Sequence, residues 1–254
     1  MSEAGGPLRA VTAAVLVIGD EILSGRTKDK NIGYIAEYLT NIGIDLREVR
    51  VVPDIEAEIV AAVNALRTRY DHVFTTGGIG PTHDDITADS VAKALGVPID
   101  VDPRAVAMLL ERIPEDQLNE ARLRMARIPE GATLIENPVS KAPGFTIGNV
   151  HVMAGVPAIM QAMLDALAPR LATGRKMLSR SVSAGLKEGD IAAGLGAVQA
   201  AYPDVSMGSY PAFDPVTGFT TTLVLRSREE GRLAEAEAAV LAMLAEVRAK
   251  LAAI

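Results

Sequence analysis

Thr75-Thr76-Gly77-Gly78-Ile79-Gly80-Pro81-Thr82-His83-Asp84-Asp85-Ile86-Thr87 concentrates three glycines and two consecutive carboxylates within thirteen residues. Upstream, Asp71-His72-Val73-Phe74-Thr75 reads as a short buried strand. Downstream, Thr87 is placed to cap a helix carrying Val91, Ala94 and Leu95 on one face, with Gly96 as its stop. Glycines permit backbone angles and ligand approaches that a Cβ blocks, so amide N–H groups at 77, 78 and 80 are expected to face an anion. The helix N-terminus that follows adds positive potential, and together these mark a site for a phosphorylated small molecule. A tight turn is the simpler reading of any glycine-rich connection, but it requires fewer of these residues. No Gly-Lys-Ser/Thr follows, so this is not a P-loop, and the spacing is not that of a dinucleotide fingerprint.

Working outward, Ala13 to Ile18 is a continuous apolar run ending in Gly19, the pattern of a strand covered on both faces. A helix begins near Asn31, with Ile32, Ile35, Ala36, Leu39 and Ile42 on one face and Gly43 at its end. A strand through Leu46, Val49 and Val51, a helix over 55–68, a strand over 72–75 and a helix over 88–95 follow. Such alternation implies right-handed crossovers and a mostly parallel sheet. Asp102-Pro103 opens a further helix, 117–127 reads as another, and 145–153 reads as a hairpin around Gly148-Asn149 in a primed turn. Pro157 opens a helix reaching about Leu171, closing a first domain over 10–172. Residues 175–254 form a small α+β domain of order βαββα: a strand at 178–185, a helix at 188–201, strands at 205–210 and 219–226, and a helix at 234–251.

Apolar residues make up 49% of the 254, as expected of a folded protein. Cysteine is absent, which excludes disulfides, thiolate metal sites and cysteine nucleophiles. Residues 1–174 hold 16 basic and 23 acidic side chains, a balance of −7, while 175–254 hold nine of each. That argues against nucleic-acid binding and suits a divalent metal held between carboxylates and phosphates. No segment is apolar enough to span a membrane and the N-terminus lacks signal-peptide order, so a cytoplasmic protein is expected.

In a doubly wound sheet, ligands bind beyond the carboxyl ends of the strands. Four strand ends are polar or glycine-rich, namely Gly19-Asp20-Glu21, Pro53-Asp54, Gly77 to Asp85, and Gly155-Val156-Pro157, and all open at one edge. Asp54 is as suited to capping the helix from Ile55 as to a functional role. His83 is read as a surface residue, His72 and His151 as strand-edge residues, and Met153, Met160 and Met163 as packing.

Four ordered segments resemble the molybdopterin-binding domain superfamily: Thr76 to Thr87, Gly19-Asp20-Glu21-Ile22-Leu23-Ser24-Gly25 with Asn31, Val52-Pro53-Asp54, and Gly155-Val156-Pro157. The likeness covers roughly residues 12 to 170 and is to the N-terminal domain of the competence/damage-inducible protein A (CinA) family. It is also close to the molybdopterin-binding-like domain attached to eukaryotic FAD synthases. It implies a three-layer α/β/α fold on a mostly parallel sheet and a homo-oligomer. It implies ligand contacts at Asp20, Glu21, Ser24, Asn31, Thr76, Gly77, Gly78, Gly80, Pro81, Thr82, Gly155 and Pro157, with Asp54 and Asp85 as catalytic residues and ligands of Mg, Mn or Co. Members bind molybdopterin, or in the CinA and FAD-synthase-associated branches hydrolyse nucleotide pyrophosphates such as ADP-ribose or FAD. The motifs here match the second branch better. Arg122, Arg124 and Arg127 lie near an Asn-Arg pair of the CinA pattern that this chain does not reproduce. About 80 residues follow the first domain, too few for the CinA amidohydrolase or the FAD-synthase adenylyltransferase domain, so neither deamidation nor FAD synthesis is expected.

Overall fold

Six consecutive residues with almost no exposure, Ala13 to Ile18, put the first strand, β1 (Val11–Ile18), inside a sheet covered on both faces. The computed structural model describes residues 10–214 and 218–253. The chain divides into two units between Gly174 and Arg175. After β1 come a single helical turn α1 (Asp20–Leu23), α2 (Asn31–Asn41), β2 (Ile44–Val52), α3 (Glu56–Arg67), β3 (His72–Thr76) and α4 (Thr87–Leu95). Then follow β4 (Ile99–Val101), α5 (Pro103–Leu110), α6 (Glu120–Leu123), β5 (Arg127–Pro129), β6 (Thr133–Ile135), β7 (Gly144–Ile147), β8 (Val150–Met153) and α7 (Pro157–Leu167).

The main sheet has the order β2-β1-β3-β8-β7-β6. Pairs β1–β2, β1–β3 and β3–β8 are parallel, and the β6–β7–β8 edge is antiparallel. Alternate residues of β1 serve opposite faces, as strand pleating requires. Ala14, Leu16 and Ile18 join α3, α4 and α5 through Val63, Leu66, Val91 and Leu109. Ala13, Val15 and Val17 join α2 and α7 through Ile35, Leu39, Met160 and Met163. Two cores on one sheet make the three-layer α/β/α architecture, and the three methionines pack in the second.

Several local signals act as the sequence reading expects. Gly96 takes φ 70 at the end of α4, and Asp102 accepts the Arg104 N–H at 2.8 Å to cap α5. Gly148 takes φ 57 in the β7–β8 turn and Asn149 does not follow it, so this is the one-glycine form of the primed turn. Other expectations fail. The helix read over 117–127 is a 3₁₀ turn (Glu115–Gln117), α6, a second 3₁₀ turn (Arg124–Ala126) and β5, which pairs antiparallel with β4. Neither β4, β5 nor β6, each three residues long, leaves a periodic signal.

His72 and His151 are not strand-edge residues but are buried across the β3–β8 ladder. The Ala172 carbonyl, 3.0 Å from His72 Nε2, can only accept, so that nitrogen carries the proton. With a neutral His72 ring, Nδ1 accepts from His151 Nε2–H at 3.0 Å, and His151 Nδ1 accepts from the Thr146 hydroxyl at 3.0 Å. The chain of bonds has one direction and ties the segment after α7 to the sheet. Burial, reinforced by His72 and Arg170, pushes the His151 imidazole down to about 3.

The second unit contains β9 (Leu178–Ser183), α8 (Glu188–Ala201), β10 (Ser206–Asp214), β11 (Gly218–Ser227) and α9 (Glu230–Ala252). Its antiparallel sheet, ordered β10-β11-β9, buries Val182, Leu223 and Leu225 against Ile191, Leu233 and Val240 of the helices. Among the described residues no helix is long and apolar enough to cross a membrane.

Candidate functional site

Because β1, β2, β3 and β8 are parallel, their four candidate segments emerge at one edge of the sheet. The glycine loop leaves β3 there, with Gly77 at φ 103 and Gly78 at φ 67. A Cβ at Gly77 would run into the Ile18 carbonyl, and one at Gly78 into the Thr87 hydroxyl. Thr87 is not the helix cap the sequence suggested. Ile86 holds that position, and Thr87 is buried as the first residue of α4. Its hydroxyl donates to the Gly77 carbonyl at 2.9 Å and its N–H to the Gly78 carbonyl at 3.0 Å, so Thr87 closes the loop from beneath.

The Gly77 N–H also departs from expectation, since it donates to the Met153 carbonyl at 3.2 Å. Among the described residues, the N–H groups of Gly78, Ile79 and Gly80 have no protein acceptor and are the ones left to face an anion. Asp85 Oδ2 accepts both the Thr82 N–H at 2.8 Å and the Thr82 hydroxyl at 2.5 Å, which sets the carboxylate's direction. Arg124 Nη2 donates to the Asp85 carbonyl at 3.2 Å. Asp54 does not cap α3, whose cap position is Ile55 without a side-chain bond. Instead Asp54 Oδ2 accepts the Asp20 N–H at 2.9 Å, linking the ends of β2 and β1. Burial raises the Asp54 carboxyl above its usual range, with Asp20, Glu21 and Asp84 adding repulsion. His83 is exposed, 3.9 Å from Asp84.

A cavity of about 580 Å³ opens over the loop, lined among others by Gly78, Gly80, Pro81 and Asp85 from one side and Asn137 and Ser140 from the other. A smaller one of about 210 Å³ reaches Thr76 and Asn31 and shares Glu21, Gly77, Gly155 and Pro157 with the first. The structure thus brings nine of the sequence candidates for ligand contact to two adjoining cavities, together with Asp85. It leaves Asp20, Ser24, Asp54 and Thr82 outside their walls. Sequence reasoning missed Asn137 and Ser140. Asn137 Oδ1 accepts the Val139 and Ser140 N–H groups while its Nδ2 donates to the Ala142 carbonyl at 2.9 Å, and this turn shapes the cavity's far wall. Asn in a turn beside Pro138 was the available signal.

Among the described residues no three His, Asp or Glu side chains converge on a metal position. Among the described residues, Asp85 and Asp54 each keep one carboxylate oxygen without a protein donor. This donor set fits a divalent cation only if phosphate oxygens complete its shell, as they commonly do for Mg²⁺.

Residues 14–173 match the family described as probable molybdopterin binding domain, and residues 176–250 match the FAD synthase middle domain. The chain belongs to the molybdopterin binding domain family. In three dimensions it is similar to the crystal structure of the protein CinA, of unknown function, from Thermoplasma acidophilum. That likeness has 38% identity and a TM-score of 0.60 and covers 63% of this chain and 98% of the other. A Pyrobaculum calidifontis protein is 36% identical over 79% of this chain and 80% of its own length. A Caldivirga maquilingensis protein is 39% identical over 63% of this chain, a match spanning 64% of the relative's length.

Proposed function

We propose that the chain binds a phosphorylated ligand on the Gly78–Gly80 amides and hydrolyses a nucleotide pyrophosphate of the ADP-ribose or FAD type. The observation that carries this is the row of three unpaired N–H groups beside an Asp85 carboxylate oriented by Thr82, at the N-terminus of α4. In this reading the amides hold phosphate oxygens. Asp85, which lines the larger cavity, takes a proton from water as the water oxygen bonds to phosphorus, and Asp54 at the neighbouring strand end, whose affinity for a proton is raised by burial, is the second candidate base. The bridging P–O bond breaks and its electrons leave with the departing phosphate. Asp85 and Asp54 are the residues that would hold a divalent cation, which would supply charge neutralisation and lower the pKa of water.

Turnover of ADP-ribose, FAD and NAD is measured with Mg²⁺, Mn²⁺ and Co²⁺ in turn and after chelation. Cleavage that chelation abolishes is expected, and full activity in metal-free buffer refutes the metal's part. A second reading is a molybdopterin- or nucleotide-binding protein without turnover, favoured by Asp54 and Asp85 each being engaged within the protein. Binding across the panel with no cleavage under any metal selects it. A homo-oligomer belongs to both readings and is tested by sedimentation; a monomer at working concentration refutes it.

A further inference from the structure

The β10–β11 hairpin of the second unit carries a surface that the site in the first unit does not use. β10 is a free edge of its sheet and is nine residues long. Exposed edges invite pairing with another chain, and other edge strands of this protein are blunted against it. β2 carries Asp45, Arg47, Glu48 and Arg50 and shifts register opposite Ala13 and Ala14. β6 has three residues, and β9 carries Arg180 tied to Glu230 and Glu237. β10 has no charged residue before its last, and Pro211, which suits an edge, removes a single donor. Tyr210, Phe213 and Phe219 are 53%, 63% and 64% exposed. Phe213 and Phe219 are cross-strand partners with ring centroids 4.8 Å apart. By alternation they lie on the sheet face that buries Leu223 and Leu225, yet no helix covers them. α8 is tied to β10 at Met207 and Ser209, through Gln199 and Glu188. After Ile191, every exposed position of α8 is Ala or Gly. From Glu188 to Leu225 no Lys, Arg or His occurs, so neither nucleic acid nor an anionic lipid surface finds a counter-charge.

We propose that β10 pairs antiparallel with β10 of a second copy about a two-fold axis at Tyr210, joining two three-stranded sheets into one of six. A two-fold axis perpendicular to the sheet keeps each face on its own side, so the axis must pass through a residue and not between two. Ser206–Asp214 is centred on Tyr210, and that centre is the register that pairs all nine residues. It sets Tyr210 opposite Tyr210 of the second copy, and Phe213 opposite Met207 of the second copy, an aromatic pair and two sulfur–aromatic pairs. Because α8 is tied to Met207, that helix of the second copy reaches Phe213, and its Ala and Gly surface permits a close approach. At roughly 150–250 Å² per aromatic side chain, the exposed parts of six rings come to on the order of 700 Å². Two strand edges about 30 Å long bring the total to the roughly 1,000 Å² that a specific interface needs. The proposal is independent of the chemistry at the glycine loop and rests on the homo-oligomer reading above, to which it gives a surface.

Sedimentation and cysteine cross-linking of the full chain decide the matter. The wild type is expected to dimerise, and Tyr210→Lys, a change at an exposed side chain, sets two ammonium groups face to face and weakens association about tenfold. The chain has no cysteine, so one introduced thiol reports one position. Tyr210→Cys forms a disulfide-linked dimer on mild oxidation, since opposite residues of an antiparallel pair lie about 4.5–5.5 Å apart, within disulfide reach. Ala212→Cys does not, because its counterpart in the second copy lies four residues along, about 14 Å away. A monomeric wild type overturns this inference and the homo-oligomer together. A dimer unaffected by Tyr210→Lys overturns this inference alone. So does a dimer in which Tyr210→Cys fails to cross-link, or in which Ala212→Cys cross-links equally, because the contact then lies on another surface or in another register.

Discussion

Acid titration of His151 offers a direct probe of the buried histidine pair. Below pH 6.5 the unfolded chain takes up a proton at this residue that the folded chain refuses until about pH 3. The unfolded state therefore binds more protons across that window, and stability falls as pH falls. The contribution is fully present above pH 6.5 and is lost progressively toward pH 3. Each pH unit removes about 1.4 kcal/mol, or about 2.7 kcal/mol by pH 4.5. Against a typical total of roughly 5–15 kcal/mol, that is a sizeable share. Amide hydrogen exchange at Val73 and Phe74, corrected for intrinsic rates and followed from pH 7.5 to 4.5, reads the opening free energy of β3. His151→Gln, which retains a donor toward His72, should be less stable at pH 7.5 yet show a slope shallower by about 1.4 kcal/mol per pH unit. An unchanged slope in the variant, or a flat wild-type profile, refutes the assignment of the proton chain.

Three other perturbations address the loop and its carboxylates. Gly78→Ala forces a Cβ at φ 67 onto the Thr87 hydroxyl, so ligand affinity should fall and stability drop by about 1–2 kcal/mol in thermal melts; unchanged affinity counts against the amide site. Thr87→Val strips the Gly77 carbonyl of its hydroxyl donor and should cost about 1–3 kcal/mol by denaturant titration, with a neutral result showing that the loop is held otherwise. Asp85→Asn should lower turnover by about a hundredfold while leaving affinity within a few fold, because Thr82 still orients the side chain; normal turnover removes Asp85 from the chemistry. The acid limb of the pH–rate profile should lie above the ordinary carboxylate range, since burial raises Asp54, and should vanish in Asp54→Asn if any activity survives.

The elements legible in the sequence are those whose signal is carried locally. Ala13 to Ile18 announces a doubly covered strand because every residue is apolar, and Asp102-Pro103 and Gly96 mark helix ends through their own backbone preferences. What escaped reading is decided by partners distant in sequence. Asp54 has the chemistry of a cap but accepts instead from the Asp20 N–H, supplied by the helical turn that follows the neighbouring strand. Thr87 looks like a cap yet finds the Gly77 carbonyl ten residues earlier. His72 and His151 are polar at strand positions, and nothing local says that each satisfies the other 79 residues away. The far wall of the larger cavity comes from 125–142, where three-residue strands and 3₁₀ turns leave no period to read.

Gly155 comes against Gly77 closely enough that a Cβ there would sit 3.2 Å from the Gly77 Cα. The chain between these glycines makes the whole excursion through α4, α5, α6 and the antiparallel edge before β8 returns beside β3. Closing so long a loop is expected late in folding, since its entropy is spent before any contact rewards it. The two cavities share this seam, so neither exists in a partly folded chain that has only β1, β2 and β3 in place. A ligand bound across it would therefore act on the last step of assembly: it would slow opening of β8 from β3 and leave the speed of early folding untouched.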